Sequence, residues 1–273
     1  MLGEKNPYDS ELGQQYAQLE HTEPTTWLVL EDLPKLMAQH LAHKKRLPLL
    51  NKQSIQALKW QALDYGCGSG ASTRFLAKCG YFVHGVDISA SELMAAQQRP
   101  HPNIQYRHIT SKWKNGGLQN SLSSYKPTCF DLVYSSFVFL ILSSKAEIIA
   151  IFQEIYRVLK NDGIFVFVVA SEHLCKYEWV SASNQRYPRN PLARSGKELQ
   201  IDLRIPTPEN PNAFLTVTDY YWTDTDYQNM LRAAGFNLLQ APHAPIADPH
   251  DTRAAWKAEL QYPPYVAYIA EKM

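Results

Sequence analysis

Cysteine is scarce in this chain of 273 residues: there are four, at positions 67, 79, 129 and 175, with no C-x-x-C pair among them. That spacing calls for neither disulfides nor zinc, and it reads as the reduced thiols of a cytoplasmic protein. Charge imbalance is also lacking, with 27 Lys and Arg against 26 Asp and Glu for a formal net charge of +1. A protein that tracks a phosphate backbone carries a basic excess, so nucleic acid is disfavoured as a partner. Long apolar runs are missing as well. No segment is long enough to span a bilayer, and Met1 to Pro7 holds no hydrophobic signal core, so no membrane partner is expected. There is no internal repeat. What is present is the apolar content of an ordinary globular protein, in a chain long enough for one large domain or a core with a lid.

The chain is organised around Leu63-Asp-Tyr-Gly-Cys-Gly-Ser-Gly-Ala71. An apolar run, Gln61 to Leu63, enters it and a helix-like run, Ser72 to Lys78, leaves it. Strand, glycine turn and helix bring a ligand close to the backbone and aim the unpaired N–H groups of a helix start at it. Gly66, Gly68 and Ala71 also fit the dinucleotide pattern G-x-G-x-x-G/A. Asp64 narrows the choice, because a carboxylate at the end of the strand repels a pyrophosphate and suits a cationic, amine-bearing ligand. The next strand, Tyr81 to Ile88, ends in Asp87, placed to accept hydrogen bonds from two ribose hydroxyls.

With those residues in view, Ala62 to Gly70 together with Val86-Asp-Ile88 resembles the cofactor-binding core of class I, Rossmann-like S-adenosylmethionine-dependent methyltransferases of the small-molecule type. Phe130-Asp-Leu-Val-Tyr-Ser-Ser136 resembles that family's fourth strand, Val158 to Gly163 the turn before its fifth, and Ala233-Ala-Gly-Phe236 the lead-in to its sixth. The resemblance covers roughly residues 56–171 and 219–273. It implies an α/β fold: a doubly wound, seven-stranded, mostly parallel sheet whose last strand is antiparallel.

Three segments are expected. Residues 1–55 form an N-terminal helical cap, residues 56–171 and 214–273 the methyltransferase core, and residues 172–213 an inserted lid or substrate segment. In the core, Ser89-Ala-Ser-Glu92 and Ser144-Lys-Ala-Glu147 are capping-box patterns, and Thr223 to Asp226 caps the last helix. Asn103 to Ile109 reads as the third strand and residues 114–128 as turn-rich and exposed. Asn161-Asp-Gly163 is expected to stop a helix whose apolar face runs from Ile148 to Leu159, before a central strand Ile164 to Ala170. Leu199 to Ile205 and Phe214 to Trp222 alternate as a β-hairpin, the lid itself.

The candidate cofactor-binding residues are Tyr16, Asp64, Gly66, Cys67, Gly68, Gly70, Asp87, Ile88, Thr110, Ser111 and Ser135. For Asp64 and Asp87 the plainer alternative is a capping or turn aspartate. By resemblance Tyr16, with Tyr8 two helical turns away, touches the methionine end of the ligand; alternatively both are half-buried packing tyrosines. In the family an acid or amide after the third strand holds the adenine amino group. Here Thr110 and Ser111 stand there, so a backbone group, Ser111 or the ring of Trp113 takes over that contact, unless Trp113 only caps the core.

Ser136, Phe137, Tyr220 and Tyr221 are the substrate-binding candidates. His173 is a candidate base, since an imidazole titrates near neutral pH; a structural histidine is the competing reading. No N/D-P-P-Y/F motif and no Pro-Cys nucleophile follow strand four, and no acidic metal cluster is visible. The expectation is methyl transfer from S-adenosylmethionine, without a metal, to a nitrogen or oxygen of a small-molecule acceptor, leaving S-adenosylhomocysteine. The alternatives are a nicotinamide-dependent oxidoreductase on the same glycine loop and a non-catalytic cofactor-binding partner.

Overall fold

The structure is a computed structural model that describes residues 59–110, 112–114, 117–119, 122–187, 194–205, 209–239, 242 and 257–272. The expected N-terminal cap, with Tyr8 and Tyr16, lies outside the described residues, as do Ser111 and the side chain of Trp113.

The chain enters through β1 (Gln61–Tyr65), turns at the glycines into α1 (Ala71–Lys78), and alternates through β2 (Phe82–Asp87), α2 (Ala90–Gln97) and β3 (Ile104–His108). A small ribbon follows, β4 (Lys112–Lys114) and β5 (Gly117–Gln119). Then come β6 (Phe130–Ser136), α3 (Lys145–Val158) and β7 (Leu159–Ala170). Three further strands follow, β8 (Ala182–Ser183), β9 (Lys197–Arg204) and β10 (Phe214–Tyr221). The chain closes with α4 (Asp224–Ala233), β11 (Phe236–Leu238), α5 (Lys257–Gln261) and β12 (Tyr265–Lys272). The main sheet has seven strands in the order β11-β12-β7-β6-β1-β2-β3. β1, β2, β3, β6 and β7 run parallel, and β12 is antiparallel to both of its neighbours. This is the doubly wound fold, with its last strand reversed, that the strand–helix alternation implies.

β7 shows why the sheet needs two apolar faces. Phe165, Phe167 and Val169 pack on one side with Ile148, Ile151, Phe152 and Ile155 of α3 and Tyr227, Met230 and Leu231 of α4. Ile164, Val166 and Val168 pack on the other with Leu76 and Ala77 of α1. A strand covered on both faces reads as a continuous apolar run, because alternation gives it no polar side to show. Its start differs from the expectation. α3 ends at Val158 and the strand begins at once; Leu159 pairs with Phe130 and Ile164 with Leu132, so the residues between bulge out, with Asp162 at φ +63°. The Asn161-Asp-Gly163 turn signal is thus spent inside a strand.

The 114–128 stretch also differs from its turn-rich, exposed reading. Leu122 and Tyr125 are buried, and the Arg157 guanidinium donates to both of their carbonyl oxygens, at 3.0 and 2.9 Å.

β9 and β10 form the expected hairpin, joined by β8 into a separate antiparallel sheet in the order β10-β9-β8. Its core holds Trp179, Ile201, Leu203, Leu215 and Val217. Backbone and side-chain bonds seat this sheet on the main domain: Tyr220 N–H donates to Leu140 O at 2.5 Å and the Trp222 indole to Leu142 O at 3.0 Å. From the other side Ser181 donates through both N–H and hydroxyl to the buried Glu259 carboxylate. Among the described residues, no helix is long and apolar enough to cross a membrane.

Candidate functional site

The glycine loop is folded by bonds that leave no room for side chains. The N–H groups of Gly66 and Cys67 both donate to Val86 O, at 2.8 and 3.0 Å, tying the loop to the end of β2. Gly66 sits at φ +73°, and a Cβ there would collide with Val138; Gly70, at φ +89°, caps α1 where a Cβ would collide with the Tyr106 hydroxyl. Both positions therefore demand glycine, on conformation and on space.

Asp64 and Asp87 play different parts. Asp64 is fully buried behind the loop, where its Oδ2 accepts the hydroxyls of Ser72 and Thr73, each at 2.6 Å. Burial raises its pKa to about 6, the two hydroxyls pulling against it. It buckles β1 to the first turn of α1 and is not part of the cavity wall. Asp87 faces the cavity. Its Oδ2 accepts Gly68 N–H and its Oδ1 accepts Ser89 N–H, both at 2.8 Å. Burial lifts its pKa, partly offset by those N–H groups.

The cavity, about 160 Å³, opens at the carboxyl ends of β1, β2 and β6, the position where open α/β sheets bind ligands. Tyr65, Gly66 and Gly68 wall it from the loop, Asp87 and Ile88 from β2, and Glu92 from α2. Ile109, Ser136, Phe137, Val138, Ile141 and Leu142 follow β3 and β6, and Glu147 and Ile151 come from α3. The walls are mostly apolar, and the charged groups among the described lining residues are three carboxylates. Glu92 is almost fully buried, its two oxygens have no hydrogen-bond partner, and burial next to Asp87 raises its pKa to about 8. Burial raises the Glu147 carboxyl as well. Phe137 sits at φ +62° with its ring edge-on to Tyr265, 4.7 Å between centroids. A bulky residue held left-handed is strained, and such strain concentrates at functional sites.

Of the sequence candidates, the structure brings Gly66, Gly68, Asp87, Ile88, Ser136 and Phe137 together on this wall. Cys67 is buried beside it; Ser135 is buried with its hydroxyl donating to Tyr65 O at 2.8 Å. Gly70 lies at the start of α1, and Thr110 is exposed beyond Ile109. Tyr220 and Tyr221 end β10, behind the loop that follows β6. His173 stands apart, edge-on to Tyr177 and Tyr262, with Nδ1 3.3 Å from Pro263 O. The lining residues that sequence reasoning passed over include Glu92 and Glu147. Both were visible as the acids of capping patterns, which explains why they were read as helix starts.

Residues 63–167, the stretch that builds the loop, β2 and the walls after β6, match the family described as a methyltransferase domain. The chain is 28% identical over 191 residues to N-demethylindolmycin N-methyltransferase of Streptomyces griseus, across 68% of this chain and 74% of that protein. The chain is a class I S-adenosylmethionine-dependent methyltransferase. Its fold is that of the crystallised S-adenosylmethionine-dependent methyltransferase from Mesorhizobium loti, with a TM-score of 0.53 at 19% identity, covering 85% of this chain and 96% of that one. The methyltransferase is also 35% identical over 74 residues to the ubiquinone biosynthesis O-methyltransferase of Glaesserella parasuis serovar 5, a match to 26% of this chain and 31% of that protein. The nicotinamide alternative falls with the family match. A wall with three carboxylates and, among its described residues, no Lys or Arg is also a poor seat for a pyrophosphate. The non-catalytic alternative falls as well, since the chain is an enzyme of this family.

The residues present fit the S-adenosyl group. Each Asp87 oxygen has taken one N–H and keeps a lone pair for a ribose hydroxyl. The isoleucines at 88, 109, 141 and 151 give an aromatic base apolar walls, and the buried Glu92 carboxyl, without a side-chain partner, can take a donor that a ligand brings.

Proposed function

We propose that this methyltransferase transfers the methyl group to a nitrogen or oxygen of a small-molecule acceptor. The observation that carries the reading is the cavity itself, apolar in its walls, acidic in its ionisable groups and lined in part by strained Phe137. When bound, S-adenosylmethionine supplies an electrophilic methyl group on a sulfonium. The chain's own part is positioning. Gly66 and Gly68 let the backbone approach the ligand, Asp87 and Ile88 hold and flank its nucleoside, and the apolar walls exclude water. Alignment of two reactants in this way supplies much of the acceleration a methyl transfer needs. Ser136 and Phe137 face the acceptor, with Tyr220 and Tyr221 on the lid side; His173, which stands apart from this wall, is not given the part of base. The two relatives carry nitrogen and oxygen transfer in their names, which supports an acceptor atom of either kind.

The test is a screen with methyl-labelled S-adenosylmethionine against pooled small amines, phenols and other hydroxyl compounds, read by mass spectrometry. A labelled product with a nitrogen or oxygen methyl bears the proposal out. Label found only on protein or RNA in the same assay contradicts it.

A further inference from the structure

Glu92 is the charged group in this site that its local structure leaves without a use. It occupies the third position of α2, behind the cap residue Ser89, and Ser89 Oγ accepts Glu92 N–H at 3.2 Å. That is one half of a capping box. The other half would return the Glu92 carboxylate to Ser89 N–H. That N–H is already given to Asp87 Oδ1 at 2.8 Å. Displaced from its cap, the Glu92 side chain lines the cavity instead, 3% exposed and with both carboxylate oxygens without a hydrogen-bond partner. A carboxylate so placed is costly unless something donates to it.

Its position says what the donor is. Oε2 lies 3.5 Å from where a Cβ of Gly68 would stand, and Gly68 is the residue whose N–H binds Asp87 Oδ2. Two carboxylates therefore flank one glycine at the edge of the cavity. Asp87 is used in part by backbone N–H groups, and Glu92 has beside it only the Ser69 backbone, with no side-chain donor on either of its oxygens. A vicinal diol offers two O–H donors within a few ångströms, which matches two neighbouring acids. Given the S-adenosyl ligand of the proposed function, on which this inference rests, we propose that Glu92 is a second acceptor for the ribose diol, sharing it with Asp87. Glu92 is thus a binding residue for the cofactor, and its helix cap is left half-made to free it.

The experiment measures, at pH 9 where the Glu92 carboxyl is ionised, dissociation constants of S-adenosylhomocysteine and of its 2′-deoxy and 3′-deoxy analogues for the wild type, Glu92→Met and Glu92→Gln, with folding of each variant checked by thermal melting. In the wild type each deoxy analogue should bind about tenfold more weakly, the loss of one charge-assisted hydrogen bond. In Glu92→Met one of the two penalties should shrink to below about twofold, while the other, held by Asp87, stays. Glu92→Gln keeps the shape and an acceptor without the charge, so the same penalty should fall to about threefold; this variant decides the matter if the methionine does not fold. Both penalties unchanged in the variants overturns the inference. That is the result expected if Glu92 merely props the glycine loop through the nearby Ser69 backbone, since affinity for all three ligands would then fall together. A wild-type chain that binds none of the three ligands sinks the cofactor reading itself, a different result from unchanged penalties.

Discussion

Three helices of this enzyme begin with one pattern, a hydroxyl residue and an acid three positions later, and they end up differently. At α4 the box closes. Thr223 Oγ1 accepts Asp226 N–H at 3.2 Å, the Asp226 carboxylate takes Thr223 N–H at 3.0 Å, and Lys145 pairs with the same carboxylate. At α2 and α3 only the first half forms, from Ser89 to Glu92 and from Ser144 to Glu147. Both acids with open caps line the cavity, and Asp226 does not. The titration follows the geometry: its bonds to Lys145, Ser195 and Thr223 outweigh desolvation and hold Asp226 at about 2, while burial drives Glu92 to about 8. The same local signal serves the fold in one place and the site in another, and at α2 what separates them is that Asp87 has claimed the backbone N–H.

The pH dependence of stability separates the two caps most strongly at Glu92. The folded chain keeps the Glu92 proton to about pH 8, while an unfolded chain releases it near 4.5, so this group's contribution to stability falls as pH rises between those values. Asp219, raised to about 7 by burial, and Asp64, raised to about 6, act with the same sign. Glu92→Gln should leave stability near pH 4 unchanged and raise it at pH 8 by roughly 2–4 kcal/mol. Urea unfolding at the two pH values reads this, and a variant no more stable than the wild type at pH 8 would break the contrast.

A smaller effect of opposite slope is expected at α4. Asp226 has a depressed pKa, so its contribution is present above about 3.8 and is lost as pH falls toward 2. Asp226→Ala should cost about 1–2 kcal/mol at pH 7, the loss of a cap with its return bond, and should leave affinity for S-adenosylhomocysteine unchanged. The difference between variant and wild type should vanish near pH 2. A loss of ligand affinity in this variant would mean that the closed cap also serves the site.

Much of the fold was legible because its signals are local or periodic. The glycines at 66, 68 and 70, the acid at 87 and the unbroken apolar run ending at Ala170 each dictate a conformation or a burial with few alternatives. What was not legible depends on partners distant in the chain. Nothing near Asp64 in the sequence says that it turns toward Ser72 and Thr73 and away from the cavity. Nothing near Leu122 and Tyr125 reveals the Arg157 guanidinium that makes a polar stretch part of the core. Glu92 is the sharpest case, since its pattern was read correctly as a cap, and the use of its carboxylate was decided by Asp87, five residues earlier, across the turn between β2 and α2.

The central claim is that the cavity beside the glycine loop takes the S-adenosyl group through Asp87. Calorimetric titration of the chain and of Asp87→Ala with S-adenosylmethionine and S-adenosylhomocysteine tests it most directly. The account predicts micromolar or tighter binding to the wild type and a loss of about a hundredfold or more in the folded variant, on the order of 3 kcal/mol. Equal affinity in the two proteins, or no binding to a folded wild type, would contradict it.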